Sequence, residues 1–290
     1  MQRLNLALQI TTLVVAAILM TTGCSKQKPT TESQPVAPAV KPQPPADFDF
    51  AASGGYQSQK PEFNEMIGAV LKGDLPTVKT LIEKNPDLIF IKGNEGQTLL
   101  EMAAGRDDQD MAKLLLANHA DINAQDDGGD TALSTAANSC LLNMAALLLA
   151  SNADVNVKGA PLLLQAELGG GNGGASLKDM VTLLLAHHAD VNVKGGLGMN
   201  PLLWAAMNSQ DDVLLLLLTH QADINIKDDL GRTPLAAATE SDQKDAVKLL
   251  LDHHADVNST NNAGMTPLHL AASKGFVEIM GLLRQHGGHE

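Results

Sequence analysis

A four-residue motif that recurs at nearly constant spacing limits, more than any other feature, how this 290-residue chain can fold. The motif Ala-Asp-(Ile/Val)-Asn occurs five times, and successive copies are separated by 33, 36, 33 and 33 residues. The five copies begin at Ala120, Ala153, Ala189, Ala222 and Ala255. Periods of this length are typical of stacked supersecondary units. One such unit cannot bury its apolar face alone, so the sequence predicts a stack in which each unit covers its neighbours.

A second motif opens the first helix of each unit. Its copies begin at Thr98, Thr131, Asn200, Thr233 and Thr266, and the last copy reads Thr-Pro-Leu-His-Leu-Ala-Ala. A Thr at this place caps a helix, and a Pro in the first turn is tolerated because its missing N–H needs no partner. A Leu-Leu-Leu stripe predicts a second helix in each unit, and a Gly/Asp-rich hairpin such as residues 126–130 leads to the next unit.

These two motifs resemble those of ankyrin-repeat proteins, whose signature is T-P-L-H-x-A, from about residue 63 to residue 290. The resemblance implies an all-α fold, an ankyrin-repeat solenoid of helix-turn-helix units joined by β-hairpin loops. It also implies that the chain binds another protein through the concave face of the stack. We divide a domain at 62–290 into seven units, with the first and last as caps: 63–92, 93–125, 126–158, 159–194, 195–227, 228–260 and 261–290.

Unit four departs from the pattern. About four of its hairpin residues are missing, and the glycine-rich run 169–174 widens the turn between its helices. Loop length changes stability little, so the run is either a tolerated insertion or a loop that contacts a partner.

The N-terminal segment predicts export. After one positive charge, the apolar run 13–20 matches the core of a signal peptide and is short for a membrane span. Residues 21–25, Thr-Thr-Gly-Cys-Ser, resemble the lipobox of bacterial lipoproteins, although Thr21 stands where that box usually has Leu. The resemblance implies cleavage after residue 23 and acylation of Cys24, for example with palmitate. An uncleaved anchor helix and ordinary cleavage to a soluble product are the alternatives.

The lipobox resemblance also implies a location. Ser25 after the Cys points to the bacterial outer membrane, with the protein facing the periplasm and held by its lipid alone. Residues 24–61 are rich in Pro, Gln, Ser and Thr and show no helical or strand period, so we expect a disordered tether.

Composition excludes several functions. The formal net charge is −13 and aromatic residues make up 2%, so nucleic-acid binding is not expected. Two cysteines, Cys24 and Cys140, cannot form a disulfide framework. His119, His188 and His254 occupy one repeated position, where the family usually has a Gly with positive φ; they are therefore interpreted as helix stops. Equivalent residues of neighbouring units lie about 10 Å apart, too far to share a metal ion. We expect no metal, no cofactor and no catalytic residue.

The variable positions at the hairpin tips and on the first helices are the expected contacts to a partner: Glu95, Glu101, Asp127, Asp130, Met199, Leu203, Met207, Arg232 and His269. Unit five is the expected energetic centre, because Leu203 replaces the family's His and buried apolar anchors dominate interfaces. Trp204 is expected in the core.

The sequence leaves the biological role open. We expect a monomeric, non-enzymatic, envelope-tethered module that acts as an inhibitor or immunity factor, or as a stabiliser of an envelope enzyme. A structural envelope lipoprotein and a hydrolase are the alternatives.

Overall fold

The computed structural model describes residues 60–159, 161–169 and 177–289 of the chain. The signal peptide, Cys24, the tether and residues 170–174 of the glycine-rich run lie outside the described residues. No helix in the described ranges is long and apolar enough to cross a membrane.

Fourteen α-helices in seven pairs make up the described part of the chain, and they contact one another in sequence order. They are α1 (Pro61–Lys72), α2 (Leu75–Lys84), α3 (Leu99–Gly105), α4 (Gln109–Ala117), α5 (Ala132–Asn138), α6 (Leu142–Ala150), α7 (Leu162–Gly169), α8 (Leu177–Ala186), α9 (Pro201–Met207), α10 (Asp211–Thr219), α11 (Pro234–Glu240), α12 (Lys244–Asp252), α13 (Pro267–Lys274) and α14 (Val277–Gln285). Short 3-10 turns cover Pro86–Phe90, Asn94–Gly96 and Gly196–Gly198.

The expected Thr caps are present at the first helix of most units. The hydroxyls of Thr98 and Thr131 accept the backbone N–H three residues on, at 3.1 and 3.2 Å, and Thr233 and Thr266 do the same at 3.3 Å. Asn200 takes this role in unit five, where its side-chain oxygen accepts from Leu203 N at 2.9 Å. Each cap satisfies a backbone donor that the helix leaves without a partner, so the motif determines where the helix begins.

The helix-stop interpretation of the repeated histidines is confirmed. His119, His188 and His254 have φ of 69°, 66° and 66°, and Asn152 and Gln221 at the same position have 67° and 65°. All five occupy the left-handed region that Gly would enter without strain.

The repeated Asp and Asn residues connect neighbouring units. Each Asp carboxylate accepts the N–H of the Asn two residues on, as Asp121 does from Asn123 at 3.0 Å. The Asn side-chain oxygen then accepts the N–H of the Asp in the next unit, as Asn123 does from Asp154 at 2.8 Å. The same pair of bonds recurs through the units that follow. The structural role expected for the Asp residues is confirmed, and the Asn ladder adds a link between units.

The core lies between the helix layers. First helices of adjacent units contact one another, and their paired alanines, such as Ala103 with Ala104 and Ala205 with Ala206, are fully buried. One Leu from each second helix of units two to seven is also fully buried: Leu115, Leu148, Leu184, Leu217, Leu250 and Leu283. Trp204, expected in the core, is only half-buried, whereas the equivalent Leu164 and Leu270 are buried.

The expected β-hairpins are turns rather than strands in the ranges that the structure describes. A single isolated antiparallel bridge, between Lys92 and Thr98, is the only ladder contact there.

Candidate protein-binding surface

Hairpin loops between units end in tips that stand beside the first helices. Each loop is closed by one backbone hydrogen bond, such as Gly93 N to Gln97 O at 2.8 Å and Gly195 N to Met199 O at 2.8 Å. Glu95 and Leu197, at the centres of two tips, have φ of 56° and 58°. These residues hold a strained backbone conformation, which directs their side chains outward from a tight turn.

Neighbouring tips are joined by backbone hydrogen bonds. Asp127 N donates to Glu95 O at 2.9 Å, and Asp229 N donates to Leu197 O at 3.1 Å. Asn262 N donates to Leu230 O at 3.0 Å. The tips of units two and three therefore form one short row and those of units five to seven another, with no tip from unit four among the described residues. We call these two rows together the tip edge.

The tip edge contains some of the residues expected to bind a partner. Glu95 and Asp127 are exposed there, and Asp130 and Met199 are half-buried in the same loops. Met207, at the end of α9, is half-buried. His269, in the last unit, is exposed.

Two of the expected contact residues are buried, which corrects the expectation that they face a partner. Leu203 is 0% exposed and Glu101 is 4% exposed. Both occupy the fourth position of the T-P-L-H motif, and the equivalents Ser134, Leu163 and Ala236 are buried as well. First helices of adjacent units pack together, so each unit covers this position of the one before it. His269 is exposed because no unit packs on it in the described part of the chain.

The pKa of the buried Glu101 carboxyl is raised well above its usual value. Burial, followed by the charge of Asp126, raises its pKa to about 7 from a usual value of 4.5. Hydrogen bonds from Thr98 N at 3.4 Å and from the Thr135 hydroxyl at 3.5 Å stabilise the charged form, and nearby Asp130 destabilises it. Among the described residues no cation contributes to this pKa, so burial dominates.

Arg232 is occupied by contacts within the chain. Its Nε donates to Asp228 Oδ2 at 2.8 Å, and its Nη1 donates to Glu240 Oε2 at 3.2 Å. Burial alone would lower the pKa of Arg232, but the bonds to Asp228 and Glu240 outweigh it and raise the pKa above its usual value. With its side chain 18% exposed, Arg232 offers a partner little more than an edge of the guanidinium.

Sequence reasoning missed the two most exposed large apolar residues of the tip edge. Leu197 is 80% exposed and Leu230 is 59% exposed. Leu197 lies between Gly196 and Gly198, and Leu230 lies between Asp229 and Gly231; an apolar residue at such a position was the signal available in the sequence. They lie in neighbouring tips joined through Asp229, so they share one surface.

Within the described ranges, no group of three or more His, Cys, Asp or Glu residues could hold a metal ion. Cys140 is buried at the turn between α5 and α6, with φ of 50°, where unit seven has Gly275.

Comparisons with known proteins agree with this architecture. The family model for ankyrin repeats matches three times, at residues 66–159, 172–261 and 223–290. The solved ankyrin repeat domain of Bcl-3, described as a unique member of the IkappaB protein family, superposes with a TM-score of 0.66 and 26% identity, covering 76% of this chain and 97% of that one. The human ASB11 ankyrin repeat domain superposes with a TM-score of 0.63 and 24% identity, covering 78% and 98%.

No curated protein matches the sequence. The family model covers well over half of the chain, so the match does not depend on one repeat. This chain therefore belongs to the ankyrin-repeat family, whose domains are general modules for protein–protein interaction.

Proposed function

We propose that this chain binds a partner protein through the tip edge, with Leu197 and Leu230 as the apolar anchors. The exposure of these two leucines carries the proposal, because large apolar side chains held out on rigid turns are the kind of residue that interfaces bury. Folding leaves more than half of the surface of each leucine exposed, and contact with a partner would bury it. Met199, half-buried in the tip that carries Leu197, extends the same apolar surface.

The charges around these two leucines indicate the sign of the charge that a partner's surface should carry. Glu95, Asp127 and Asp229 are exposed at the tips, and the chain as a whole carries a formal charge of −13. The acidic tips would attract a partner that has a basic rim around an apolar centre. Contact of that apolar centre with the two leucines would then hold the complex together. We therefore propose that the partner presents Lys or Arg beside an apolar pocket.

We further propose that the binding module is anchored in the bacterial envelope through a lipid on Cys24, at the outer membrane facing the periplasm. The support is the apolar run 13–20 followed by the lipobox-like residues 21–25 and the Pro-rich residues 24–61. In this setting the module acts either as an inhibitor or immunity factor against an enzyme, or as a stabiliser of an envelope enzyme. Metabolic labelling with a palmitate analogue tests the anchor, because Cys24→Ala should abolish the label.

Capture of a partner from envelope extract, read by mass spectrometry, tests the binding surface. We expect one dominant protein on the full chain and its loss from a Leu197→Asp/Leu230→Asp variant. Val277→Asp is the matched control, because Val277 is 76% exposed at the start of α14, away from the hairpin tips.

Equal capture by the tip variant and the control would refute the assignment of this surface. Absence of any specific partner would favour the structural envelope role instead. If a partner is found, its activity with and without the chain separates an inhibitor from a stabiliser.

A further inference from the structure

Unit four interrupts the tip edge. Lys158 and Gly159 stand where unit three has Gln125 and Asp130, and the four residues 126–129 have no counterpart. Tip-to-tip hydrogen bonds join unit two to three and unit five to six, as described above. Between these rows the described residues supply no tip.

A second ladder is interrupted at the same place. In four units, the residue before the hairpin donates a side-chain hydrogen bond to the backbone oxygen of the equivalent residue in the next unit. The observed bonds are Lys92 to Gln125 at 2.7 Å, Gln125 to Lys158 at 2.9 Å, Lys194 to Lys227 at 3.0 Å and Lys227 to Thr260 at 2.8 Å. The missing member is Lys158 to Lys194. Within the described part of the chain, Lys158 Nζ makes neither this bond nor an ion pair, and the residue is exposed.

A cavity of about 510 Å³ lies at this interruption, between the segment that joins unit three to unit four and the segment that joins unit four to unit five. Its lining combines the apolar side chains of Val157, Leu163 and Val193 with Lys158 and the backbone of Gly195 and Gly196. The volume falls in the range of sites that bind small ligands and peptide segments. We call it the missing-hairpin cleft.

Other hairpins of the same chain show what chemistry suits this space. In unit three Asp126 Oδ1 accepts the N–H groups of Gly128 and Asp130, both at 2.8 Å. In unit six Asp228 Oδ1 accepts from Leu230 at 3.0 Å and from Arg232 at 2.8 Å. An acidic turn that folds on its own carboxylate is therefore a segment that this chain places between two units at two of its hairpins.

We propose that the missing-hairpin cleft receives a short acidic turn of the partner protein, which takes the place of the absent hairpin. A carboxylate of that turn pairs with the Lys158 ammonium, and an aliphatic side chain packs on the half-buried Val157 and Val193. Its backbone runs along Gly196, where no atom of the described residues lies within 4 Å of the position that a Cβ would take. This inference rests on the proposed function, since it assumes a protein partner, and it names one segment of that partner.

Charge complementarity selects an acidic occupant. Lys158 is an exposed cation with no partner inside the described structure, in a chain whose formal charge is −13. Lys194 also lines the cleft and donates to the Lys227 oxygen, and the acidic Asp190 lines the cleft as well. A basic rim elsewhere on the partner and an acidic turn at the cleft would together determine how it docks.

The test uses a labelled peptide, capped at both ends, with the sequence of residues 228–231, Asp-Asp-Leu-Gly, and the full chain, read by fluorescence anisotropy. We expect saturable binding, about tenfold weaker for a peptide with both Asp replaced by Asn, and about tenfold weaker for Lys158→Glu. Lys248→Glu is the matched control, because Lys248 is exposed on α12, a second helix, and does not line the cleft. Its affinity should equal that of the wild type.

A second variant rebuilds the hairpin. Inserting Asp-Asp-Leu-Gly between Lys158 and Gly159 should fill the cleft, abolish peptide binding and leave the far-ultraviolet circular dichroism unchanged. If the insertion perturbs folding, the peptide affinity of the Lys158→Glu variant alone decides the test.

No saturable binding, or binding that Lys158→Glu leaves intact, would overturn the inference. Partner capture that still depends on Leu197 and Leu230 would show that only the cleft assignment fails. Peptide binding that survives the insertion would equally exclude the cleft.

Discussion

Replacing the buried Glu101 by Gln should make the protein more stable at neutral and alkaline pH. Glu101 is 4% exposed, and burial together with Asp126 raises its pKa to about 7 from 4.5. Gln has nearly the same shape and keeps an oxygen to accept the Thr98 N–H, so the helix cap survives the change. It carries no charge at any pH, so the desolvation penalty disappears.

The sign of the pH dependence follows from the direction of the shift. The folded state holds the Glu101 proton more tightly than the unfolded state, because its pKa is about 7 when folded and 4.5 otherwise. Glu101 therefore lowers the free energy of unfolding of the wild type least below pH 4.5. This free energy falls as pH rises from 4.5 to about 7, and it stays at the lower value at higher pH. A difference of this size corresponds to about 3 kcal/mol, at roughly 1.4 kcal/mol per pKa unit.

Urea unfolding of the full chain at pH 5 and pH 8, followed by circular dichroism, measures this effect. Glu101→Gln should raise the free energy of unfolding by up to about 3 kcal/mol at pH 8 and by about 1 kcal/mol or less at pH 5. Glu83→Gln is the control, because Glu83 is exposed in the last turn of α2 and should show no such difference between the two pH values.

A stability gain of equal size at both pH values would show that charge is not the cause. A Gln variant less stable than wild type at pH 8 would refute the electrostatic reasoning entirely, since it would mean that the charged form is stabilised in place.

Three further substitutions test other parts of the fold by thermal unfolding. Asn200→Thr should stabilise the protein by about 1 kcal/mol, because the buried Asn200 Nδ2 has no hydrogen-bond partner among the described residues and a Thr hydroxyl can keep the cap; a lower Tm would contradict this. His254→Gly should add about 1 kcal/mol by relieving φ of 66°, whereas His253→Gly, at φ of −92°, should bring no gain. Arg232→Ala should cost about 3 kcal/mol because it leaves the buried Asp228 without its cation, and Asp228→Asn in the same chain should recover part of the loss; an additive double variant would refute the pairing.

Local chemistry made much of this architecture predictable from the sequence. A Thr cap, a residue that must take positive φ and an Asp that closes a turn each act within about four residues. Thr98, His119 and Asp121 accordingly have the roles expected of them. The 33-residue spacing then required that the units stack, because none can bury its apolar helix faces alone.

Exposure was harder to predict, because it depends on what covers a residue. Leu203 looks like an exposed anchor in its own unit, but the following unit buries it, and the same contact buries Glu101. His269 occupies the same motif position and is exposed, because no following unit packs on it within the described residues. No pattern within a single repeat carries this information.

The sequence by itself determined the helix pairs, their caps and their order, since these rest on short-range hydrogen bonds and on the period of the apolar residues. Only the tertiary structure decided which side chains stay exposed and can contact a partner. Leu197 and Leu230 stay exposed because no other part of the described chain covers their tips, and the Lys158 side chain donates no inter-unit bond among the described residues. Both outcomes arise from packing between units, where the surface of one unit is set by the shape of the next.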